Sequence, residues 1–154
     1  MKSMVKSALV LCVLFLAAES HAFSCKIATT SVNFGNYDVF SSFYLDSTGT
    51  ISVDCNNQEN RPMNIKITLT AGNSGKFSPR QMSSSSGSDR LSYNLYSDPS
   101  HNTIWGDGTG GSSVVTSVVD RTSTINALVY GRIFPGQNVG VGIYNDQLTA
   151  TVFW

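Results

Sequence analysis

The sequence is that of an all-β domain, a two-sheet sandwich of immunoglobulin-like kind, and three observations point there. Serine, threonine, glycine and asparagine are abundant, and no apolar pattern of helical period runs for three turns. About seven short stretches alternate apolar and polar residues, with turn-forming clusters between them. The last of these, Gly142 to Trp154, sets Tyr144, Leu148, Ala150, Val152 and Trp154 on one face, against Asn145, Gln147, Thr149 and Thr151 on the other. No turn, cap or polar tail follows it. Sheets normally hide or blunt a long apolar edge, because such an edge recruits other chains. Either the strand that should close the sandwich is missing, or this last strand is simply central or short-edged.

Met1 to Ala22 reads as an export signal. Lys2 and Lys6 form a basic start, Ala8 to Ala18 is an uninterrupted apolar run, and Ser20-His21-Ala22 places small residues where a signal peptidase reads. The run is shorter than the about 20 residues of a membrane-spanning helix. Leu11 before Cys12 argues against lipoprotein processing, and so does Phe23 two residues before Cys25. The mature chain is expected to start near Phe23 and to form one domain, 23–154, long enough for a real core.

Of ten basic and ten acidic residues, Lys2, Lys6 and Glu19 belong to the leader, leaving eight against nine. No basic patch points to nucleic acid, and no charge run points to a membrane surface. Cys25 and Cys55 are the cysteines of the mature chain, and an exported chain with two cysteines is expected to pair them. A metal site needs more ligands than these. His101, in SDPSHNTIW, reads as a solvated turn residue rather than a ligand.

Taken in order, Cys25 to Phe34 is the first extended piece, with Cys25 and Ile27 on one face and Val32 and Phe34 further on. Gly35-Asn36 breaks it, and Tyr37 to Leu45 carries aromatics through a serine-rich bend. Thr48 to Cys55 alternates with Ile51, Val53 and Cys55 inward. Met63 to Ala71 is the clearest strand, with Met63, Ile65, Ile67, Leu69 and Ala71 facing in. Gly72 to Ser88 reads as loop, with its GNSG, Pro79 and serine run. Arg90 to Ser97 is a strand with Leu91, Tyr93 and Leu95 aligned, and Asn102 to Gly106 is a short extended piece before the glycine-rich DGTGG. Ser113 to Val119 and Thr124 to Ile133 are two more strands, and Phe134-Pro135-Gly136-Gln137 is a turn.

Several blocks, in order, carry a family resemblance: VNFGNYD (Val32 to Asp38), GNSGKFSPRQM (Gly72 to Met82), LSYNLYSD (Leu91 to Asp98), TIWGDGTGG (Thr103 to Gly111) and the closing GIYNDQLTATVFW. Together they resemble the spore coat protein U domain family, which includes pilin subunits of the archaic chaperone–usher pathway. The resemblance covers nearly all of Phe23 to Trp154. It implies an incomplete immunoglobulin-like β-sandwich lacking its last strand and completed by a donor strand. The implied partners are a periplasmic chaperone, an outer-membrane usher and the donor strand of another pilin subunit, by β-strand addition. The implied localisation is export through the periplasm to a surface fibre.

The groove is then expected between the first and last strands, lined by Ile27, Val32, Phe34, Tyr144, Leu148, Ala150, Val152 and Trp154. A missing strand leaves four or five inward pockets, each worth roughly 1.5–3 kcal/mol when filled. That total is comparable with the net stability of a whole domain. If cleavage follows Ala22, only Phe23 and Ser24 precede Cys25, too little for a donor segment. The expectation is a strand acceptor at a fibre end, plausible as a tip, although the chain has no room for the second, binding domain of a tip adhesin.

Three other features invite a different reading. Phe40, Phe43 and Tyr44 could form an exposed binding loop, but aromatics in a sandwich more often plug its end, and core is the expectation. Trp105-Gly106-Asp107-Gly108 could hold calcium or a sugar, but one acidic residue among glycines is a poor set for an ion that takes six to eight oxygens, so a tight turn is expected. Asp107, His101 and a serine could be called a triad, yet no G-x-S-x-G motif is present. No catalysis, cofactor, metal or small-molecule substrate is expected. A self-contained secreted coat or matrix protein, or a small carbohydrate-binding module, remains the alternative.

Overall fold

The computed structural model describes residues 23–59 and 61–154. The segment read as an export signal, Met1 to Ala22, lies outside the described residues. None of the described helices is long and apolar enough to cross a membrane. The described residues form nine strands: β1 (Ser24–Thr30), β2 (Leu45–Asn56), β3 (Met63–Leu69), β4 (Arg80–Ser84), β5 (Arg90–Tyr96), β6 (Val115–Val119), β7 (Ser123–Ile133), β8 (Tyr144–Asn145) and β9 (Ala150–Phe153). A 3-10 turn, Gly72–Ser74, joins β3 to β4. One sheet has six strands in the order β1-β2-β7-β5-β4-β8, and the other has three in the order β6-β3-β9. Every pairing between these strands is antiparallel. The result is the two-layer, all-β sandwich that the alternation requires.

The alternating residues meet between the layers. Ile51, Val53 and Cys55 of β2 face Ile65, Ile67 and Leu69 of β3, all buried. Cys25 stands opposite Cys55 across β1 and β2 with Cα atoms 4.1 Å apart, and the two are joined by a disulfide. Trp105 has no exposed surface, and its indole Nε1 donates to the Ile67 carbonyl at 3.0 Å.

Four stretches differ from the sequence expectation. The first strand ends at Thr30 rather than Phe34: Thr30 Oγ1 accepts the Thr50 amide at 2.8 Å, and the chain then leaves the ladder. Residues 31–34 instead cross the inner face of the large sheet over two glycines. A Cβ at Gly131 would lie 2.6 Å from Val32 and 2.7 Å from Phe34, and one at Gly49 would lie 2.8 Å from the Thr30 carbonyl. Mid-strand glycines are here a matter of close approach.

The second difference is β4, which falls in the stretch read as loop. Its inward residues are Arg80 and Met82, both buried, so an arginine interrupts the apolar alternation that would have marked a strand. Third, Gly142 to Trp154 is not one strand. Tyr144–Asn145 pairs with β4 in the large sheet, while Ala150–Phe153 pairs with β3 in the small one. The chain crosses between layers at Asp146 to Thr149. Fourth, Asn102 to Gly106 makes only isolated bridges, Ile104 to Tyr96 and Trp105 to Ser113.

Buried Arg80 ties the signature blocks together. Its guanidinium donates to Asn94 Oδ1 (3.1 Å), the Thr70 carbonyl (3.1 Å) and the Trp105 carbonyl (2.6 Å), and it lies 5.2 Å from the Phe77 ring. Burial pushes its pKa below the ordinary arginine value. Thus GNSGKFSPRQM, LSYNLYSD and TIWGDGTGG are distant in sequence but meet around one cation.

Two expectations about single residues also change. Phe40, Phe43 and Tyr44 are not core: they are 93%, 79% and 55% exposed. The bend that holds them is closed by its own turn bonds, from the Phe40 amide to Asp38 Oδ1 (2.9 Å) and from the Phe43 amide to Ser41 Oγ (3.1 Å). These satisfy the backbone without folding the rings inward. His101 is not solvated: its ring packs edge-on against Tyr96 at 5.0 Å and its side chain is 10% exposed.

Candidate functional site

An open groove of about 1230 Å³ runs between the layers. That exceeds the roughly 300–1,000 Å³ of a pocket for a small ligand. One wall comes from β1 and the segment that follows it, from Ile27 to Val39, and the other from Val139 to Ala150. The floor is the inner face of the large sheet, with Ile51, Leu91, Tyr93, Leu95, Val129 and Ile133, joined by Met82 and by Leu69 of the small sheet. Along one wall, β9 is the last strand of its sheet and pairs with β3 alone among the described strands. Its other side makes no ladder pairing among the described strands, and β1 comes close to it.

Of the eight residues expected in the groove, the structure brings six together: Ile27, Val32, Phe34, Tyr144, Leu148 and Ala150. Val152 does not line it. It lies opposite Ile67 and packs against the buried core. Trp154 does not line it either, and its ring packs on Phe23 at 5.5 Å. Both follow Ala150 along the chain, and the groove ends at Ala150.

The floor residues are what sequence reasoning missed. Leu91, Tyr93 and Leu95 are legible as one inward face of a strand; they are buried core residues, and only long-range packing sets them at the inner end of an open groove. Phe34 reaches Tyr93 edge-on at 6.1 Å. The 31–39 wall is pinned further along, where the Tyr37 hydroxyl donates to the Phe134 carbonyl at 3.1 Å and accepts the Gln137 amide at 2.9 Å.

The inner face of the groove is apolar apart from the Tyr93 hydroxyl, whereas the walls carry polar side chains such as Thr29, Asn33, Asn145 and Gln147. The Tyr93 hydroxyl donates to Asp146 Oδ2 at 2.8 Å, and Asp146 Oδ1 accepts the backbone amides of Asn73 and Gln147, each at 2.8 Å. Burial, reinforced by the Asp146 carboxylate, pushes the Tyr93 pKa far up, so the phenol stays a proton donor. Asp146 thereby fixes the crossover between β8 and β9. Among the described residues no group of histidine, cysteine and carboxylate side chains could hold a metal ion. Asp107 spends its carboxylate on the Thr109 amide (2.8 Å) and hydroxyl (2.6 Å), and Trp105 beside it is fully buried, so that turn offers no sugar platform.

Fold and groove together define a class, a β-sandwich with one strand position open. The chain belongs to the Spore Coat Protein U domain family, whose description matches residues 12–151. It is 33% identical over 129 residues to Protein U of Myxococcus xanthus, covering 79% of this chain and 70% of that protein. Among solved structures it is similar to one described as the CsuC-CsuE chaperone-tip adhesion subunit pre-assembly complex from archaic chaperone-usher Csu pili of Acinetobacter baumannii. That match has a TM-score of 0.58 at 19% identity and covers 86% of this chain but only 40% of the matched one, a likeness of fold. The E. coli Hda pilus minor tip subunit, HdaB, overlays more loosely, with a TM-score of 0.40 at 15% identity over 82% of this chain and 79% of that one, and bears on nothing below.

Proposed function

We propose that this protein is a strand-accepting structural subunit of a chaperone–usher surface fibre. The observation that carries the reading is the groove itself, long and open, with apolar residues at its inner face and the start of β9, an edge strand, on one wall. A donor strand laid there would extend the small sheet by main-chain hydrogen bonds and drop alternate side chains onto the floor. In the periplasm a chaperone strand would fill it first, and the donor strand of another pilin subunit would replace it at an outer-membrane usher. The segment 1–22 would act as the export signal and be removed, leaving 23–154 as the assembling domain.

Thermal unfolding of the exported, oxidised protein tests this, with and without an alternating apolar peptide of about nine residues. Alone the protein should aggregate or melt low, and the peptide should raise the melting temperature by about ten degrees or more, since each filled pocket adds roughly 1.5–3 kcal/mol. A monomer that melts cooperatively at high temperature regardless of peptide would favour the self-contained coat or matrix alternative. Whether the subunit also donates turns on the mature N-terminus, which mass spectrometry reads directly. A start near Phe23 would make it an acceptor only and place it at a fibre end.

One observation favours a second role. Phe40 and Phe43 stand in water on a well-braced bend, as a contact loop would present them. Glycan-array binding that is lost in Phe40→Ser/Phe43→Ser would establish the carbohydrate-binding alternative at this loop.

A further inference from the structure

Granted the strand-accepting reading above, the groove needs walls that keep their spacing before any strand arrives, and one wall has no ladder to hold it. Residues 31–39 form no strand. Val32 and Phe34 rest on Gly131, and Ser47 Oγ donates to the Asn33 carbonyl at 2.6 Å, but these tethers all lie in the first half of the wall. Its far end depends on Tyr37, a half-buried side chain packed against the core. The other wall begins at Val139, two residues after Gln137.

Gln137 joins that second wall to the large sheet. β7 ends at Ile133, opposite Tyr93 of β5, so the next residue along β5, Ser92, has no β7 residue facing it. The Gln137 side-chain amide takes that place. Its Oε1 accepts the Ser92 amide at 2.7 Å and its Nε2 donates to the Ser92 carbonyl at 2.8 Å, the two bonds that a neighbouring strand would make. Nε2 also donates to the Phe134 carbonyl at 2.9 Å. That carbonyl accepts the Tyr37 hydroxyl as well (3.1 Å), and the hydroxyl oxygen accepts the Gln137 backbone amide (2.9 Å). These bonds tie the 31–39 wall, the 134–137 turn and β5 into one unit.

We propose that Tyr37 and Gln137 form a clasp that sets the spacing of the two groove walls and, through it, the affinity for the incoming strand. Both are positioning residues: the Tyr37 hydroxyl is engaged in the clasp and acts on the strand only through the wall it holds. A wall already in place need not be ordered when the strand arrives, whereas a loose one must be, and binding is weaker by that amount. A purely structural role would instead stabilise the filled and the empty protein alike and leave affinity unchanged.

Tyr37→Phe tests this, since it removes the hydroxyl and keeps the ring. The exported, oxidised protein is refolded with a labelled alternating apolar peptide of about nine residues, and dissociation constants are read by competition with unlabelled peptide. Tyr37→Phe should weaken peptide binding by about tenfold, the value of one or two net hydrogen bonds. Amides 33–39 should also exchange faster with deuterium in dilute, peptide-free protein. A Kd that is unchanged or tighter would overturn the clasp and leave the strand-accepting reading standing, and so would weaker binding without faster exchange at 33–39. If no peptide binds the wild type or raises its melting temperature, that reading fails and takes this one with it. Should the variant not fold, the wild type decides. A Gln137 amide protected from exchange in the peptide-free protein supports the clasp, and one that exchanges like an open amide overturns it.

Discussion

Arg80 sits with no exposed surface between the sheets and donates to three acceptors from three separate stretches. Replacing it by methionine keeps much of the volume but leaves the Thr70 and Trp105 carbonyls without that donor inside the fold. Each abandoned buried acceptor costs about 1–3 kcal/mol, so Arg80→Met should lower the unfolding free energy by about 3 kcal/mol, read by urea denaturation of the peptide-filled protein. Gly131 makes the complementary point. A methyl group there would press into Val32 and Phe34, and Gly131→Ala should cost about 1–3 kcal/mol in the same assay. Neither role could be read from the sequence. An arginine in PRQM looks like loop, and a strand glycine looks like a weakness, until the segments that crowd them are in place.

Strands were the most legible level. The inward faces of β2, β3 and β5 follow directly from alternation, because a two-residue period leaves no choice of face once one side is buried. The β1–β2 disulfide closes a separation of 30 residues, which stabilises by about 3–4 kcal/mol in the chain-entropy model. Cys25→Ala/Cys55→Ala should lose about that much, measured with and without peptide. Where β2 meets β7, Asp46 and Arg132 are directly opposed and pair through two bonds of 2.7 Å. The hydrogen-bonded guanidinium holds the Asp46 pKa below the usual carboxylate range. A depressed pKa contributes stability that is complete above the unfolded value of about 3.9 and is lost as pH falls through the lower folded value. The melting temperature of Asp46→Asn should therefore fall less steeply than that of the wild type below about pH 4, with a constant offset above about pH 5. Asp98 and Asp107, whose pKa values are lowered chiefly by hydrogen bonds from Asn102 and from Thr109, should leave part of the acid limb in place in that variant.

For the molecule as a whole, a groove opens between the layers beside the core. Leu91, Leu95 and Ile133 are buried core residues that also form its inner end. The exposed Phe40 and Phe43 lie outside that accounting, since neither contributes to the core. Phe40→Ser/Phe43→Ser should change the unfolding free energy by no more than about 0.5 kcal/mol, by the same denaturation assay, and leave peptide affinity intact. A larger loss would mean that the bend is part of the fold after all.

Local chemistry was enough to set the architecture. Period-two alternation, turn clusters, paired cysteines and an apolar final stretch specify an all-β sandwich, because each acts between near neighbours or on one strand at a time. Long-range packing settled the rest. It divides Gly142 to Trp154 between two sheets at a crossover held through Asp146, and it ends the groove at Ala150, short of Val152 and Trp154. It also turns GNSGKFSPRQM into a strand around a buried cation, because an arginine at an inward position breaks the apolar pattern and finds its three acceptors only when the layers close.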